Sequence, residues 1–283
     1  MKKYLMLGLM ALAMTFSVQA QLKTPQPSPL SKIEQVVGLT DVSIEYSRPN
    51  MRGREVFGNL VPYGKTWRTG ANANTKVTFS DDVVIDGKTL KSGTYAIYTV
   101  PNKSSWDVMF YTDSNNSGLP KTWDDSKVAL KAKAQVYPMP VDIETFTITL
   151  DDLTSDSAVI GMLWGKVYAG VKFVVPTDKT VMKNIDATMK GNPTANDYYA
   201  SAVYYYESGK DIKQAQTWID KSIEMTETPA FWQLRKQALI HAKTGDKAGA
   251  IETAKKSLAG AEAAGNADYI KMNTDSLKEW GAL

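Results

Sequence analysis

Five cationic residues lie close together between Arg48 and Arg68, interleaved with aromatic, glycine and proline residues. The same stretch holds one carboxylate, Glu55. Arginine presents a planar fork of N–H donors that suits carboxylate, phosphate or sulfate. The segment therefore predicts a site for an anionic ligand. The residues expected to form this site are Arg48, Arg54, Tyr63, Trp67, Arg68, Asn72 and, from the preceding strand, Glu45.

The same residues also allow a purely structural interpretation. The arginines would then pair with carboxylates such as Glu45, Asp41 or Asp81, and Asn72 would cap a turn. Glycine and proline interrupt both the helical and the strand period, so the segment is expected to be an ordered connector between strands. Both interpretations stay open at the level of the sequence.

Few residues offer catalytic chemistry. The chain has no cysteine and one histidine, His241, which excludes thiol nucleophiles, disulfides and sites with several histidines. His241 falls in the helical half, where packing against a neighbouring helix is expected. The acidic pairs at 81–82, 124–125 and 151–152 are typical of solvated turns. We therefore predict no catalytic residue, metal or cofactor, and the sequence favours a protein that is not an enzyme.

A hydrolase remains the main alternative. Glu45, Asp107 and Glu144 lie on expected strands, and paired carboxylates can hydrolyse glycosides. Tryptophans also stack on sugars. Trp106 and Trp164 occupy apolar alternating positions and are expected in the core, whereas Trp123 lies in a polar loop and is expected at the surface.

The first twenty residues read as an export signal, with Lys2 and Lys3 before an apolar run and Val18-Gln19-Ala20 as the cleavage motif. Residues 21–30 are expected to be a flexible mature N-terminus. No later segment is apolar enough to span a membrane. Cleavage of the signal would remove Lys2 and Lys3, so that 31 of the 33 Lys and Arg residues remain against 30 Asp and Glu. A chain with almost no net charge lacks the positive field that nucleic-acid binding requires. The protein is expected to be exported to the periplasm or outside the cell.

Residues 31–176 alternate between apolar and polar side chains over many short runs, separated by turn residues. A period of two is typical of half-buried antiparallel strands. The pattern predicts eight or nine short strands in an antiparallel β-sandwich or jelly-roll-like domain.

After Pro176 the composition changes to Ala, Lys, Gln and Glu. We expect a linker at 177–192 and an all-α domain at 193–283. Five helices are predicted, at 196–207, 212–225, 229–244, 247–264 and 268–280. Small residues recur after 35 or 36 positions, and this period resembles tetratricopeptide repeats. An irregular helical bundle is the alternative.

An ordered set of motifs carries a family resemblance. The motifs are Val37-Gly38-Leu39-Thr40-Asp41-Val42, Tyr46-Ser47-Arg48-Pro49, Arg52-Gly53-Arg54, Phe57-Gly58, Leu60-Val61-Pro62-Tyr63-Gly64, Trp67-Arg68-Thr69-Gly70-Ala71-Asn72 and Gly93-Thr94-Tyr95-Ala96-Ile97-Tyr98, followed by Pro101 and Trp106. Over about residues 28–176 the chain resembles the domain of unknown function 2911 family of secreted bacterial proteins. The resemblance implies a secreted β-domain, often with a tetratricopeptide-like tail, and no established activity.

These observations favour an exported binding protein. The β-domain is expected to hold a small anionic or glycan ligand at the arginine and tryptophan segment, and the helical tail to dock a protein partner. A carboxylate-based hydrolase and a structural module of the cell envelope are the alternatives.

Overall fold

The computed structural model describes residues 24–283. The expected export signal at 1–20 lies outside these residues, as does the start of the expected flexible segment at 21–30. The chain divides into two compact units at the bond between Pro176 and Thr177. The first unit is built of strands and the second of helices, so the prediction of a mainly β domain followed by an all-α domain is confirmed.

The described part of the first unit contains nine strands in a single antiparallel sheet of order β1-β2-β3-β6-β7-β8-β9-β4-β5. Their bounds are β1 Leu30–Val37, β2 Thr40–Ser47, β3 Ala71–Phe79, β4 Val83–Ile85, β5 Lys88–Leu90, β6 Gly93–Val100, β7 Ser105–Tyr111, β8 Val128–Asp151 and β9 Ser157–Val174.

One hydrophobic core draws side chains from all nine strands. Val37 of β1 and Leu90 of β5 belong to this core although their strands are the two ends of the sheet. A flat sheet cannot bring both ends to one core, so the sheet curls around it. The inward side chains are those that the alternation predicted: Val42, Ile44 and Tyr46 are buried, with polar residues between them.

Strands β8 and β9 are much longer than the short strands that were predicted, with 24 and 18 residues. Strand β8 unites the alternating runs at 130–136 and 146–150, and β9 unites those at 158–164 and 167–175, which were expected to be separate strands. In β8 the ladder is interrupted between Pro138 and Ile143, where residues 139–142 lie opposite the single residue Lys166 of β9. A bulge of this kind bends a strand without ending it. Pro138 and Pro140 hid this continuity, because proline lacks the N–H of a regular ladder.

The chain that leaves β2 runs along the second half of β8. Phe146 N donates to Pro49 O over 2.8 Å, and Met51 N donates to Glu144 O over 2.8 Å. The Tyr46 hydroxyl accepts from Ile148 N over 2.9 Å. These bonds hold the arginine-rich segment against the β8–β9 hairpin.

The described part of the second unit has six helices, with bounds α1 Thr177–Met189, α2 Ala195–Glu207, α3 Ile212–Glu224, α4 Phe231–Thr244, α5 Lys247–Ala263 and α6 Ala267–Glu279. Helices α2 to α6 match the predicted ranges to within two residues. The expected linker at 177–192 is a correction, because most of it forms α1. No described helix is long and apolar enough to cross a bilayer.

Two helical hairpins share one packing detail. The Ser222 hydroxyl in α3 donates to the carbonyl of Ala195, the first residue of α2, over 2.7 Å. The Ser257 hydroxyl in α5 donates in the same way to Phe231, the first residue of α4, also over 2.7 Å. The small residues that recur in the sequence are fully buried in these hairpins: Ala202, Ala215, Ala238 and Ala250. Small side chains allow the paired helices to approach closely.

Candidate functional site

A cavity of about 340 Å³ lies in the first unit, and we call it the arginine cavity. Three arginines and two tryptophans contribute to its wall. The full lining is Pro27, Ser28, Pro49, Asn50, Arg52, Arg54, Leu60, Val61, Trp67, Arg68, Gly70, Ala71 and Trp164. Arg54, Trp67 and Arg68 of this set were predicted from the sequence, whereas Arg52 was not. The signal was present, since Arg52 stands two residues before Arg54 in a glycine turn.

Backbone strain is concentrated around the arginine cavity. The described residues include five non-glycine residues with positive φ, and Arg52 (51°), Thr69 (56°) and Asn72 (57°) are three of them. This conformation is especially unfavourable for a β-branched residue such as threonine. Thr69 is held there because its carbonyl accepts from Thr75 Oγ1 over 2.5 Å and its own hydroxyl lies 3.1 Å from Thr99 Oγ1.

A pair of main-chain hydrogen bonds fixes the tryptophan beside this strained residue. Trp67 N donates to Thr99 O over 2.7 Å, and Thr99 N donates to Trp67 O over 2.9 Å. Since Thr99 belongs to β6, which pairs with β3 on one side and β7 on the other, the cavity wall at 67–69 is attached to an interior strand of the sheet.

The arginines of the cavity use only part of their hydrogen-bonding capacity. Arg54 donates from Nε to Met51 O and from Nη2 to Asn50 O, both over 2.8 Å. Arg52 Nη2 donates to Pro27 O over 3.2 Å, and Arg68 Nη1 lies 3.4 Å from Asn72 O. A guanidinium carries five N–H donors, and these carbonyl partners bear no net charge. The positive charge of the cavity is therefore not neutralised by its protein contacts.

Two of the carboxylates that the structural interpretation assigned to the arginines are engaged elsewhere. Glu45 pairs with Lys76 across β2 and β3 over 3.2 Å. Asp81 accepts hydrogen bonds from Thr40 and Ser80. Within residues 24–283, none of the ion pairs includes an arginine. The expectation that these acids hold the arginines is wrong.

Glu144 is the acid that meets the arginine segment. Its Oε1 accepts from the main-chain N of Arg52 over 2.8 Å, so it binds the backbone of the turn and not a guanidinium. Its carbonyl accepts from Trp164 Nε1 over 3.1 Å. Glu144 therefore fixes both sides of the cavity wall, and no carboxylate is found among the described residues that line the cavity.

Arg48 is separate from the other arginines. It does not line the cavity, and its guanidinium donates to Phe146 O over 3.1 Å and to Thr147 Oγ1 over 2.7 Å. Both partners lie in β8, so Arg48 ties the end of β2 to that strand. The structure thus supports a structural role for this one predicted site residue.

Trp67 is a half-buried wall of the cavity. Its ring stacks on that of Trp164 with 5.8 Å between centroids and 19° between planes. Phe146, Phe57 and Trp106 contact it edge-on or at a steep angle, with centroids 5.1 to 6.3 Å away. A ring held by four aromatic neighbours is fixed in orientation before any ligand arrives.

The remaining predicted residues stand outside the cavity. Tyr63 is 37% exposed. Asn72 donates from Nδ2 to Ser28 O over 3.1 Å and so holds the N-terminal segment beside Arg68. The placement of Trp106 and Trp164 in the core is confirmed. Trp123 was expected at the surface, but its side chain is half-buried and packs against Tyr98 and Tyr111.

The proposed catalytic carboxylates do not form a pair. Asp107 lies between Lys133 and Lys131, the latter at 2.9 Å. Burial acts to raise the pKa of Asp107, but the hydrogen bonds from the two lysines outweigh it and lower that pKa. Glu45 is bound to Lys76, and Glu144 to the turn at Arg52. Residues 24–283 bring together no group of three or more acidic or histidine side chains that could hold a metal ion.

His241 is bound between two carboxylates in the second unit. Its Nε2 lies 2.7 Å from Asp220 Oδ1, and its Nδ1 lies 2.7 Å from Asp246 Oδ2. Ionised carboxylates only accept, so both ring nitrogens must carry a proton. The hydrogen bond with Asp220, opposed by burial and assisted by Asp246, raises the pKa of His241. The side chain joins α3, α4 and the start of α5.

Comparison with known proteins identifies the first unit. The family described as "Protein of unknown function (DUF2911)" matches residues 28–173, which is more than half of the chain. No curated protein matches the chain, and no solved structure matches it. The matched range includes the whole arginine cavity except Pro27. The chain belongs to the DUF2911 family.

Proposed function

We propose that this protein is a non-catalytic binding protein whose arginine cavity holds a small oxyanion. The observation that supports this function best is the lining itself, which includes Arg52, Arg54 and Arg68 and no described carboxylate. Guanidinium groups with unused donors on a fixed wall are suited to carboxylate, phosphate or sulfate.

The charge of a second cavity provides a contrast. A larger cavity of about 440 Å³ lies against β1, β2 and β3, and its charged residues are Glu34 and Asp41. The two cavities therefore differ in the sign of the charge that lines them. A small anion should be attracted to the arginine cavity, where the electrostatic potential is positive. It should be repelled by the second cavity, where the carboxylates make the potential negative.

The strain at Arg52, Thr69 and Asn72 favours binding over a purely structural role for the cavity arginines. Unfavourable φ values persist where the surroundings over-determine them, and such residues cluster at ligand clamps. The hydrolase alternative has less support, because Glu45, Asp107 and Glu144 are each bound to a separate partner.

Calorimetric titration of the mature protein with phosphate, sulfate and acetate tests this proposal. We expect saturable binding of at least one of these anions, and a loss of about tenfold or more in Arg54→Ala and Arg68→Ala, since a charge-assisted hydrogen bond contributes about 1.5–3 kcal/mol. Lys88→Ala is the matched control, because Lys88 is an exposed cation in β5 that does not line the cavity. Equal binding by the arginine variants and the control would refute the proposal.

We further propose that the helical unit is a tetratricopeptide-like array that docks a protein partner. The equivalent bonds of Ser222 and Ser257 and the buried alanines support a repeated architecture. A photo-crosslinking residue in place of the exposed Trp232 should capture one predominant partner in cells, whereas one at Lys255 serves as the control position. Equal capture at both positions would contradict docking of a partner at the surface around Trp232.

Export is the last part of the proposal, and it depends on the sequence of the first twenty residues. The protein isolated from the producing cells should begin at Gln21 when its N-terminus is sequenced. Retention of Met1 in the mature protein would refute cleavage of an export signal.

A further inference from the structure

We infer that the ligand of the arginine cavity is a phosphate monoester of a flat, apolar group, with the phosphate at the three arginines and the flat group against Trp67. This inference rests on the proposed function and specifies its ligand. Three features carry it: the size of the cavity, the division of its lining and the fixed tryptophan ring.

The cavity is too large for a bare inorganic anion. Its volume is about 340 Å³. A water molecule takes roughly 30 Å³ of the liquid, so the cavity has space for about ten waters. Phosphate and sulfate have five heavy atoms each and leave most of this space to be filled. Cavities of roughly 300 Å³ and above are in the range that binds small organic molecules.

The lining is divided between charge and apolar surface. Arg52, Arg54 and Arg68 supply the cations. The apolar part of the wall includes Pro27, Pro49, Leu60, Val61, Trp67, Ala71 and Trp164, and Ser28 and Asn50 are its neutral polar residues. A ligand that satisfies both parts must itself be amphiphilic, since an all-polar ligand would leave its hydroxyl groups without partners on the apolar wall.

The charge of the lining favours phosphate over carboxylate. A lining that contains three arginines and no described carboxylate is best matched by a group that carries more than one negative charge. A phosphate monoester bears a charge of about −1.5 to −2 at pH 7 and has three acceptor oxygens. A carboxylate has one charge and fits a single arginine fork.

Trp67 provides the surface for a flat group. Its ring is half-buried, lines the cavity and is held by Trp164, Phe146, Phe57 and Trp106. Because the ring is already immobile, stacking on it costs little conformational entropy. Stacking of a flat group on an aromatic side chain contributes about 1–3 kcal/mol in nucleic-acid complexes.

The test compares phenyl phosphate with inorganic phosphate, benzoate and phenol by calorimetry on the mature protein at constant ionic strength. We expect phenyl phosphate to bind about tenfold tighter than inorganic phosphate, from the stacking contribution. Benzoate should bind more weakly than phenyl phosphate, and phenol should show no binding. Trp67→Leu should reduce the preference for phenyl phosphate over inorganic phosphate while it retains inorganic phosphate.

Trp67→Leu removes a ring that packs on the core, so a measurement on the unmodified protein accompanies it. The indole N–H signal of Trp67, assigned with Trp67→Phe, should shift with phenyl phosphate more than with inorganic phosphate. Equal affinity for the two phosphates would overturn the inference and leave oxyanion binding intact. Benzoate binding as tight as phenyl phosphate would overturn the preference for a dianion. Absence of binding by all four compounds would refute the inference, and the proposed function fails separately if the earlier anion titrations are also negative.

Discussion

Arg48 and Phe146 are joined across 98 positions of sequence, because the guanidinium Nε donates to the Phe146 carbonyl over 3.1 Å. Arg54, six residues after Arg48, bonds only to carbonyls of its own turn. One short segment thus holds arginines with two different tasks. Arg48 connects β2 to β8, while Arg54 leaves donors for the cavity.

The two tasks can be separated by stability measurements. Arg48→Ala removes hydrogen bonds to Phe146 O and Thr147 Oγ1 from a half-buried guanidinium. We expect it to lower the free energy of unfolding by about 1.5–3 kcal/mol, whereas Arg54→Ala, at an exposed turn, should cost less than about 1 kcal/mol. Urea unfolding followed by tryptophan fluorescence measures both. Equal midpoints for the two variants would contradict the assignment.

The backbone angle and the close surroundings of Gly70 explain why the motif Thr69-Gly70-Ala71 contains a glycine. Its φ is 153°, and a Cβ placed there would lie 2.9 Å from Thr75 Oγ1 and 3.1 Å from Ser47 O. We expect Gly70→Ala to destabilise the protein by about 2–3 kcal/mol, since overpacking and an unfavourable φ act together. Gly53→Ala is the control, because Gly53 has a φ of 70° and open space around it. A smaller loss for Gly70→Ala than for Gly53→Ala in urea unfolding would disprove this account.

Replacing Ser222 or Ser257 by alanine should lower the free energy of unfolding by different amounts. Ser222→Ala leaves only the Ala195 carbonyl without its partner. Ser257→Ala also frees Asn273 Nδ2, which donates to the Ser257 hydroxyl over 2.8 Å and belongs to a fully buried residue. We expect losses of about 1 kcal/mol for Ser222→Ala and about 2–3 kcal/mol for Ser257→Ala. Unfolding followed by circular dichroism at 222 nm should give this order, and the reverse order would count against the observed network.

His241 predicts a dependence of stability on pH. Because the hydrogen bond with Asp220, and to a lesser degree that with Asp246, raises the pKa of His241 against the effect of burial, the folded chain binds a proton that the unfolded chain releases near pH 6.5. The stabilisation is complete below that pH and is lost as the pH rises through the higher pKa of the folded chain.

Thermal unfolding at 222 nm, measured from pH 6 upward, tests this dependence. The melting temperature should fall with rising pH in the unmodified protein and fall less in His241→Gln, which cannot titrate. The pKa values of Asp220 and Asp246 are lowered, so their own contributions disappear only in acid, outside this range. Identical slopes for the two proteins would show that His241 is not the titrating group.

Much of the fold was accessible from the sequence because burial alternates with the period of each element. Val42, Ile44 and Tyr46 are buried on one side of β2, and Ala215, Ile219 and Ser222 on one face of α3. Helix α1 was missed although Val181 and Ile185 recur at helical spacing after Pro176. The length of β8 was missed because its bulge, with Pro138 and Pro140, resembles a turn.

The candidate site was only partly predictable. The arginine-rich segment stood out by composition, but composition does not distinguish Arg48 from Arg54. Arg48 meets the distant backbone of β8, whereas Arg54 meets carbonyls of its own turn. Glu45 was assigned to the site by proximity in sequence, whereas the β2–β3 register places it opposite Lys76. The register between two strands decides which side chains lie opposite each other, and the residues of one strand alone do not determine that register.

The lining of the arginine cavity extends from Pro27 to Trp164 along the chain. Its wall at Trp67 further requires β6, and its connection to Glu144 requires the far half of β8. Contacts between such distant positions form late and slowly, because loop closure must precede them. The arginine cavity is therefore incomplete in a nascent chain until almost the entire β unit has been synthesised. On the proposed function, a truncation anywhere before β9 would abolish binding even where the arginine-rich segment is intact.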